Sequence, residues 1–500
     1  MFTLRTSTSG IPRRRAVTAG IAISAALCAA VLVPGAAMAA PNASGAAAIE
    51  AVPGPLMNYA INVGIVNRGQ TLKVERAVAA AGGSVIESYA EIGVVIAQSD
   101  NASFAAAVAK EKAVLSVGAT RTAPVAPSDL TYGVSDPLAP GESGNRRSAA
   151  AATTKDAGVE AEVTVIPDPS ESRQWDMAAI GAVAAHEITD GSRDVLVAVI
   201  DSGIQGDHPD LAANIDVNAS ASCLSGVADT SYESWQPTTS SHGTHVAGTI
   251  AAARNGIGIV GVAPNVRLSA VKVVNDDGFI YPEAAICGFM YATEIGADIT
   301  NNSYYIDPWE FWCDNNADQS AVKTAVNRAV QYSQGKGVLN VAAAGNSALD
   351  LANKTVDSAS PNDTVPVTRP IDAKCHDIPA ELDGVVTVSS TTSTGAKSGF
   401  SNYGLNVIDI AAPGSAILST VTGSGYGTSS GTSMASPHVA GVAALLKSVH
   451  PEYSGLALGD VLYAQANDVA CPAGSALCTG PATDNAFFGE GLVDALEAVN

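Results

Sequence analysis

Between residues 195 and 414 the chain repeats one pattern that leaves few folds open. Short, mostly apolar runs recur: "VLVAVI" (195–200), "VRLSAVKVV" (266–274), "ADITNNS" (297–303), "GVLNVAAAGN" (337–346), "GVVTVSS" (384–390) and "NVIDIAAPG" (406–414). Runs with little polar alternation fit strands covered on both faces. Helical stretches lie among them and after them: "GTHVAGTIAAA", "PEAAICGFMYATEIG", "QSAVKTAVNRAVQYSQG" and "SPHVAGVAALLKSVH". Parallel neighbours need crossovers, so strands alternating with helices predict an α/β, three-layer parallel sheet with helices on both faces. In such sheets the functional crevice lies beyond the carboxyl ends of the strands.

A different texture precedes this region. From residue 59 to 120 the order is strand "YAINVGIV", helix "TLKVERAVAAAG", strands "SVIESY" and "IGVVIAQ", helix "ASFAAAVAKEKA" and strand "VLSVGAT". That β-α-β-β-α-β order predicts a small α+β ferredoxin-like domain over residues 58–120. Residues 121–170, rich in Pro, Ser, Ala and Thr, read as an exposed, cleavable linker. The large domain then occupies 171–500.

Residues 1–40 hold Arg5, "RRR" at 13–15, an Ala-rich apolar run and "AMA" at 37–39. This is the layout of a cleaved export signal, compatible with either the Sec or the twin-arginine route. With no second long apolar run, the expectation is a secreted, extracellular protein without stable membrane association. The balance of 26 Lys+Arg against 48 Asp+Glu gives a formal charge of -22, which repels phosphate backbones and argues against nucleic acid as a partner. Cys28 leaves with the signal, and the remaining Cys223, Cys287, Cys313, Cys375, Cys471 and Cys478 favour disulfides in an exported chain. Cys471 with Cys478 is the first pairing expected and Cys313 with Cys375 the second, while Cys287 is either paired or a buried thiol. No C-x-x-C spacing supports a zinc site.

Three polar clusters fall at predicted strand ends and helix starts. "AVIDSGIQGDHPDL" places Asp201 just past a strand, "SSHGTHVAGTI" places His242 at a helix head, and "GTSMASPHVAG" places Ser433 at another. Acyl transfer by a hydroxyl needs a base within reach and a carboxylate to orient that base, and these are the residue types required. Taken singly, Asp201 is a turn carboxylate and Ser433 an N-cap. His242 and His245 have the spacing of a helical metal pair, but Gly243-Thr244 supply no Glu to act as base.

Taken together, "VAVIDSGI", "HGTHVAGTI", "GTSMASPHVAG" and "VAAAGN" resemble the signatures of the subtilisin-like serine proteases, the subtilases, over about residues 174–498. The resemblance implies a subtilisin-like sheet and a serine endopeptidase working through an acyl-enzyme, with Ser433 as nucleophile, His242 as base, Asp201 as its orienting carboxylate and Asn346 as oxyanion donor. Ser303, Tyr304, Tyr305, Ala344 and Gly345 match the segments that bind the substrate backbone. Tyr304, Tyr305 and Ile306 stand where Leu-Gly-Gly is common in the family. His208 and His438 match structural positions. Structural Ca2+ is implied as cofactor, with Gln174, Asp210 and Asn255 as side-chain ligands. The 58–120 domain more loosely resembles the family's inhibitory propeptide, which implies an autoprocessed precursor with a maturation bond in 121–170. The expected partners are peptide or protein substrates and the protein's own propeptide, on a monomer. Two other readings are a narrow processing protease for one peptide precursor and an inactive subtilase used as a binding module.

Overall fold

The computed structural model describes residues 53–126 and 167–500. The expected export signal and most of the linker lie outside the described residues.

The first domain forms a four-stranded antiparallel sheet in the order Ser84–Tyr89, Val94–Asn101, Pro53–Val63, Val114–Ala119. Helix Arg68–Ala80 starts where the Asn67 side chain accepts the Gln70 N–H at 2.9 Å, satisfying one orphan donor. The second helix, expected over residues 102–113, covers only Phe104–Val108. Ser103 makes no side-chain cap there, and "KEK" at 110–112 turns the chain back, with the Val114 N–H on Glu111 O. Along the central strand Ile61 and Val63 meet Val74, Val78 and Phe104, whereas Ala60 faces the other way. Ala60, Val94 and Ile96 join the core of the large domain beside Val322, Val326 and Ala329. Gly118 makes the closest approach, since a Cβ there would lie 2.3 Å from Asp318 O.

The large domain is the expected three-layer α/β structure. Its seven-stranded parallel sheet runs Ile410–Pro413, Val386–Thr391, Leu339–Ala343, Ile299–Asn302, Leu196–Asp201, Arg267–Lys272, Ala221–Ser222. Strand period two explains the layering. Val197 and Val199 point to the layer of helices His242–Ala251, Thr432–Val449 and Gly455–Gln465. Leu196, Ala198 and Ile200 point to helices Pro282–Glu294 and Ala317–Gly335. The Gly455–Gln465 helix, the two-residue edge strand and the hairpin Ile417–Val421/Gly425–Ser429 were not expected from the sequence.

Cys313–Cys375 and Cys471–Cys478 pair as expected, and Cys287 is disulfide-bonded to Cys223 rather than a free thiol. Among the described residues no helix is long and apolar enough to cross a membrane.

Candidate active site

Asp201 ends the strand next to the sheet centre and is 1 % exposed. Its Oδ1 and Oδ2 lie 2.8 and 3.0 Å from His242 Nδ1. The Ser202 N–H donates to Asp201 Oδ1 at 2.6 Å, and Ser202 Oγ accepts the Gly243 N–H at 2.9 Å, tying strand end to helix head. A side chain at position 243 would meet Gly203 O at 2.4 Å, so glycine lets His242 sit this close to Asp201. Burial alone would lower the His242 pKa; the Asp201 charge and hydrogen bond outweigh it and raise the pKa above the ordinary histidine value.

Ser433 is the second residue of the Thr432–Val449 helix, where backbone N–H groups lack intrahelical partners. Its hydroxyl donates to Ser303 O at 3.1 Å, and Ser303 Oγ donates back to Ser433 O at 3.0 Å. The small residues of "GTSMAS" let the strand end and the helix head touch. Asn346 Oδ1 accepts the Thr432 N–H at 2.8 Å and also bonds Thr432 Oγ1 at 3.0 Å. Because an N–H can only donate, this fixes the amide orientation and leaves Asn346 Nδ2 as a donor beside the Ser433 helix start.

Two neighbouring clefts share Ser303 and Tyr304. One, of about 330 Å3, is lined by Tyr305, Gly345, Asn346 and Ser433; the other, of about 340 Å3, by Asp201, Ser202 and His242. A larger cavity of about 570 Å3, lined by Lys354, His376 and Asp409, contains none of these residues. Size alone would choose the third cavity; Asp201, His242, Ser433 and Asn346 line the two smaller ones.

The expected substrate segments divide. The Tyr304 hydroxyl donates to Asn302 Oδ1 at 3.0 Å, and the Tyr305 hydroxyl accepts from Asn362 Nδ2 at 3.0 Å, so both rings are anchored in the cleft wall. Gly345, at φ +92, has its N–H on Thr432 Oγ1 and its carbonyl on the Asn402 N–H, which makes it wall rather than a pairing strand. Ala344 lies behind that wall, buried beside Phe311 and Leu351, and Ala343 lines the cleft instead. Strand alternation turns one alanine in and the next out.

Gln174, Asp210 and Asn255 converge on one loop. Asn255 Oδ1 accepts the Ile257 N–H at 3.1 Å, Asp210 Oδ2 accepts the Ile259 N–H at 3.1 Å, and Gln174 holds both Val260 N (3.0 Å) and Val260 O (2.8 Å). Arg254 turns away to Asp190, Glu171 and His186. Among the described residues no group of three His, Cys, Asp or Glu could hold a metal. Asp168, overlooked in the sequence, also clasps the loop through Asn255 N and Gly256 N.

His245, His438 and His208 contact backbone carbonyls. His245, pushed down to about 4 by burial, sits on Ile417 O; His438 bridges Met434 O and Asp176; His208 holds Gly425 O. Thr432, Ser202 and Asn402 were missed by sequence reading. Of these, Thr432 and Ser202 adjoin the signature residues, while Asn402 carries no local signal.

The sequence model of the subtilase family matches residues 192–491. Subtilisin DY of Bacillus licheniformis is 33 % identical over 301 residues, covering 60 % of this chain and 89 % of that protein. A subtilisin of Bacillus pumilus is 33 % identical over 329 residues, covering 66 % of this chain and 99 % of its own length. Among solved structures, the epidermin leader peptide processing serine protease of Staphylococcus aureus superposes with a TM-score of 0.62 at 22 % identity, covering 89 % of this chain and 98 % of that one; at this identity the likeness concerns the fold. With most of its length matched by the family model, and with these relatives, the chain belongs to the subtilase family and is a subtilisin-like serine endopeptidase.

Proposed function

We propose that the protein hydrolyses peptide bonds through Ser433, His242 and Asp201, and that it is made as an exported precursor which processes itself. The observation that carries this reading is the buried Asp201 carboxylate on His242 Nδ1, which leaves Nε2 as the base facing the cleft. Ser433 Oγ adds to the scissile carbonyl carbon while Nε2 takes its proton, and the same proton passes to the leaving amine as the C–N bond breaks. Water then repeats the cycle on the acyl-enzyme, releasing the acid and restoring the hydroxyl. The hydroxyl's present bond to Ser303 O is relinquished by rotation about χ1. Asn346 Nδ2 and the Ser433 N–H are the donors for the developing oxyanion, in a site where they need no reorganisation. Ser303, Tyr304, Tyr305 and Gly345 form the substrate walls.

The 58–120 domain would act as inhibitory propeptide, and its docking on helices Pro282–Glu294 and Ala317–Gly335 supports that role. The maturation bond would lie in 121–170, and residues 1–40 would direct secretion. Gln174, Asp210 and Asn255 fit Ca2+: all are oxygen donors, and Asp210 Oδ1 is buried without a hydrogen-bond partner among the described residues. The ion would brace the 255–260 loop and take no part in bond cleavage.

A fluorophosphonate probe should label the mature protein at Ser433, and Ser433→Ala should accumulate as a full-length precursor with its linker intact. Maturation of Ser433→Ala at the wild-type rate and bond in a protease-deficient host would show that another protease activates the chain.

A further inference from the structure

The cleft beside Ser433 carries a charge pattern that proteolysis as such does not require. Asp307, Glu310 and Asp377 line it together with Tyr305 and Gly345, and among the described residues no Lys, Arg or His does. The three carboxylates are not equivalent. Asp307 is satisfied: its Oδ1 accepts from Asn362 Nδ2 at 2.6 Å and its Oδ2 accepts the Ile280 N–H at 2.5 Å. Glu310 accepts the Ser347 hydroxyl at 2.9 Å. Asp377 is 2 % exposed, and its Oδ1 is buried with no hydrogen-bond partner among the described residues.

An isolated buried carboxylate is expensive, so its presence calls for an explanation. The nearest cation does not supply one. Lys354 is bound to Glu381, and Glu381 itself presses a negative charge on Asp377 while accepting the Asp377 N–H at 2.6 Å. Burial, followed by the charges of Glu381 and Glu310, pushes the Asp377 carboxyl well above the usual carboxylate range. That raised pKa favours the neutral carboxyl while the cleft is empty; a cation bearing several N–H donors would ionise it, the proton passing to solvent. The position suits one that arrives on a substrate: a Cβ at Gly345 would be 3.3 Å from Asp377 Oδ2, so the carboxylate lies directly behind the wall next to Asn346 and Ser433.

We infer that Asp377 is the specificity-determining residue of this cleft, and that the protease cleaves after Lys or Arg, whose ammonium or guanidinium completes the Asp377 carboxylate. Glu310 at the cleft wall adds to the attraction, while Tyr305, held by Asn362, keeps the pocket narrow. Within the proposed linker the basic residues are Arg121, Arg146, Arg147 and Lys155; Arg121 is engaged by Glu283, which makes the bonds after the other three the candidates for maturation.

The inference rests on the proposed Ser433 chemistry, and the two fail differently. The mature enzyme would be assayed with succinyl-Ala-Ala-Pro-X-p-nitroanilides carrying X as Arg, Lys, Phe or Leu, beside fluorophosphonate labelling. Arg or Lys should exceed Phe and Leu in kcat/KM by about tenfold or more. Asp377→Asn, which keeps the shape and removes the charge, should lower kcat/KM for Arg and Lys about 100-fold and leave Phe and Leu within about threefold. Glu310→Gln should produce a smaller loss confined to the basic substrates. A wild-type preference for Phe or Leu, or an equal loss on all four substrates in Asp377→Asn, overturns the role of Asp377 even when labelling is intact. Absence of both labelling and hydrolysis would instead remove the Ser433 mechanism and this inference with it.

Discussion

The contact that clamps the first domain to the protease centres on Glu283, and removing it should have a large, one-sided effect. Glu283 is 1 % exposed and lies in the first turn of helix Pro282–Glu294. Its Oε1 accepts Asn58 Nδ2 at 2.7 Å and Arg121 Nη2 at 2.6 Å, and the Arg121 guanidinium lies 3.7 Å from the centre of the Tyr281 ring. Glu283→Ala leaves the Arg121 charge buried without that carboxylate, a change that costs about 3–5 kcal/mol. In the free protease the same carboxylate favours only its helix N-terminus, about 0.3–1 kcal/mol. The difference is about 2–4 kcal/mol, so the inhibition constant of an added 53–126 fragment should rise by roughly 30- to 1000-fold, with little change in the protease's own melting temperature. Arg121→Ala in the fragment should weaken inhibition as well, and the double substitution should cost clearly less than the sum. Burial would raise the Glu283 pKa, but Arg121, followed by Asn58, holds it below the ordinary glutamate value. The carboxylate's contribution to docking is therefore complete above that ordinary value and lost as pH falls through the lowered one. Inhibition should weaken on acidification and not on alkalinisation. An inhibition constant within threefold of wild type in Glu283→Ala, or strict additivity in the double variant, would refute the clamp.

Three further outcomes are expected. Asn346→Ala should lower kcat by about 100- to 1000-fold, the range known for an oxyanion-hole amide in a subtilisin, with KM nearly constant; an unchanged kcat removes the amide from the mechanism. Because His242 is a base only when neutral and its pKa is raised by Asp201, kcat/KM should fall as pH drops through a value above that of ordinary histidine. In Asp201→Asn, burial acts alone, so the residual activity should titrate at lower pH, and an inflection that stays in place would exclude Asp201 as its cause. Chelating Ca2+ should lower the melting temperature and speed autolysis, and Asp210→Ala or Asn255→Ala should blunt that response; identical melting curves with calcium and chelator would make the 255–260 loop a simple turn.

What could be read in the sequence and what could not divide along a physical line. Strands covered on both faces announce themselves as apolar runs; Asp201 and Asn346 sit where two of those runs stop and His242 and Ser433 at the heads of two helices, so these positions are marked in one dimension. Long, strongly apolar helices were equally plain. The Gly455–Gln465 helix was not, because only Gly455, Leu458, Gly459 and Leu462 are buried and its two glycines dilute the period. The hairpin at 417–429 was hidden by Ser, Thr and Gly, whose strand propensity is supplied by its packing on helix His242–Ala251. Ala344 and Ala343 are indistinguishable as letters; only the pleat decides which of them lines the cleft. Asp377 shows the limit most clearly. It lies far along the chain from Ser433, in a loop without a period, beside Pro379 and Glu381, and nothing local distinguishes it from any acidic turn residue. Its character arises from what surrounds it: a buried position, a cation committed to Glu381, and a glycine wall at Gly345 thin enough for its charge to reach the cleft. The residues that perform the bond chemistry need a strand end or a helix head and therefore leave a motif. A residue that selects the substrate needs only an address in the cleft, and any loop that reaches it can supply one.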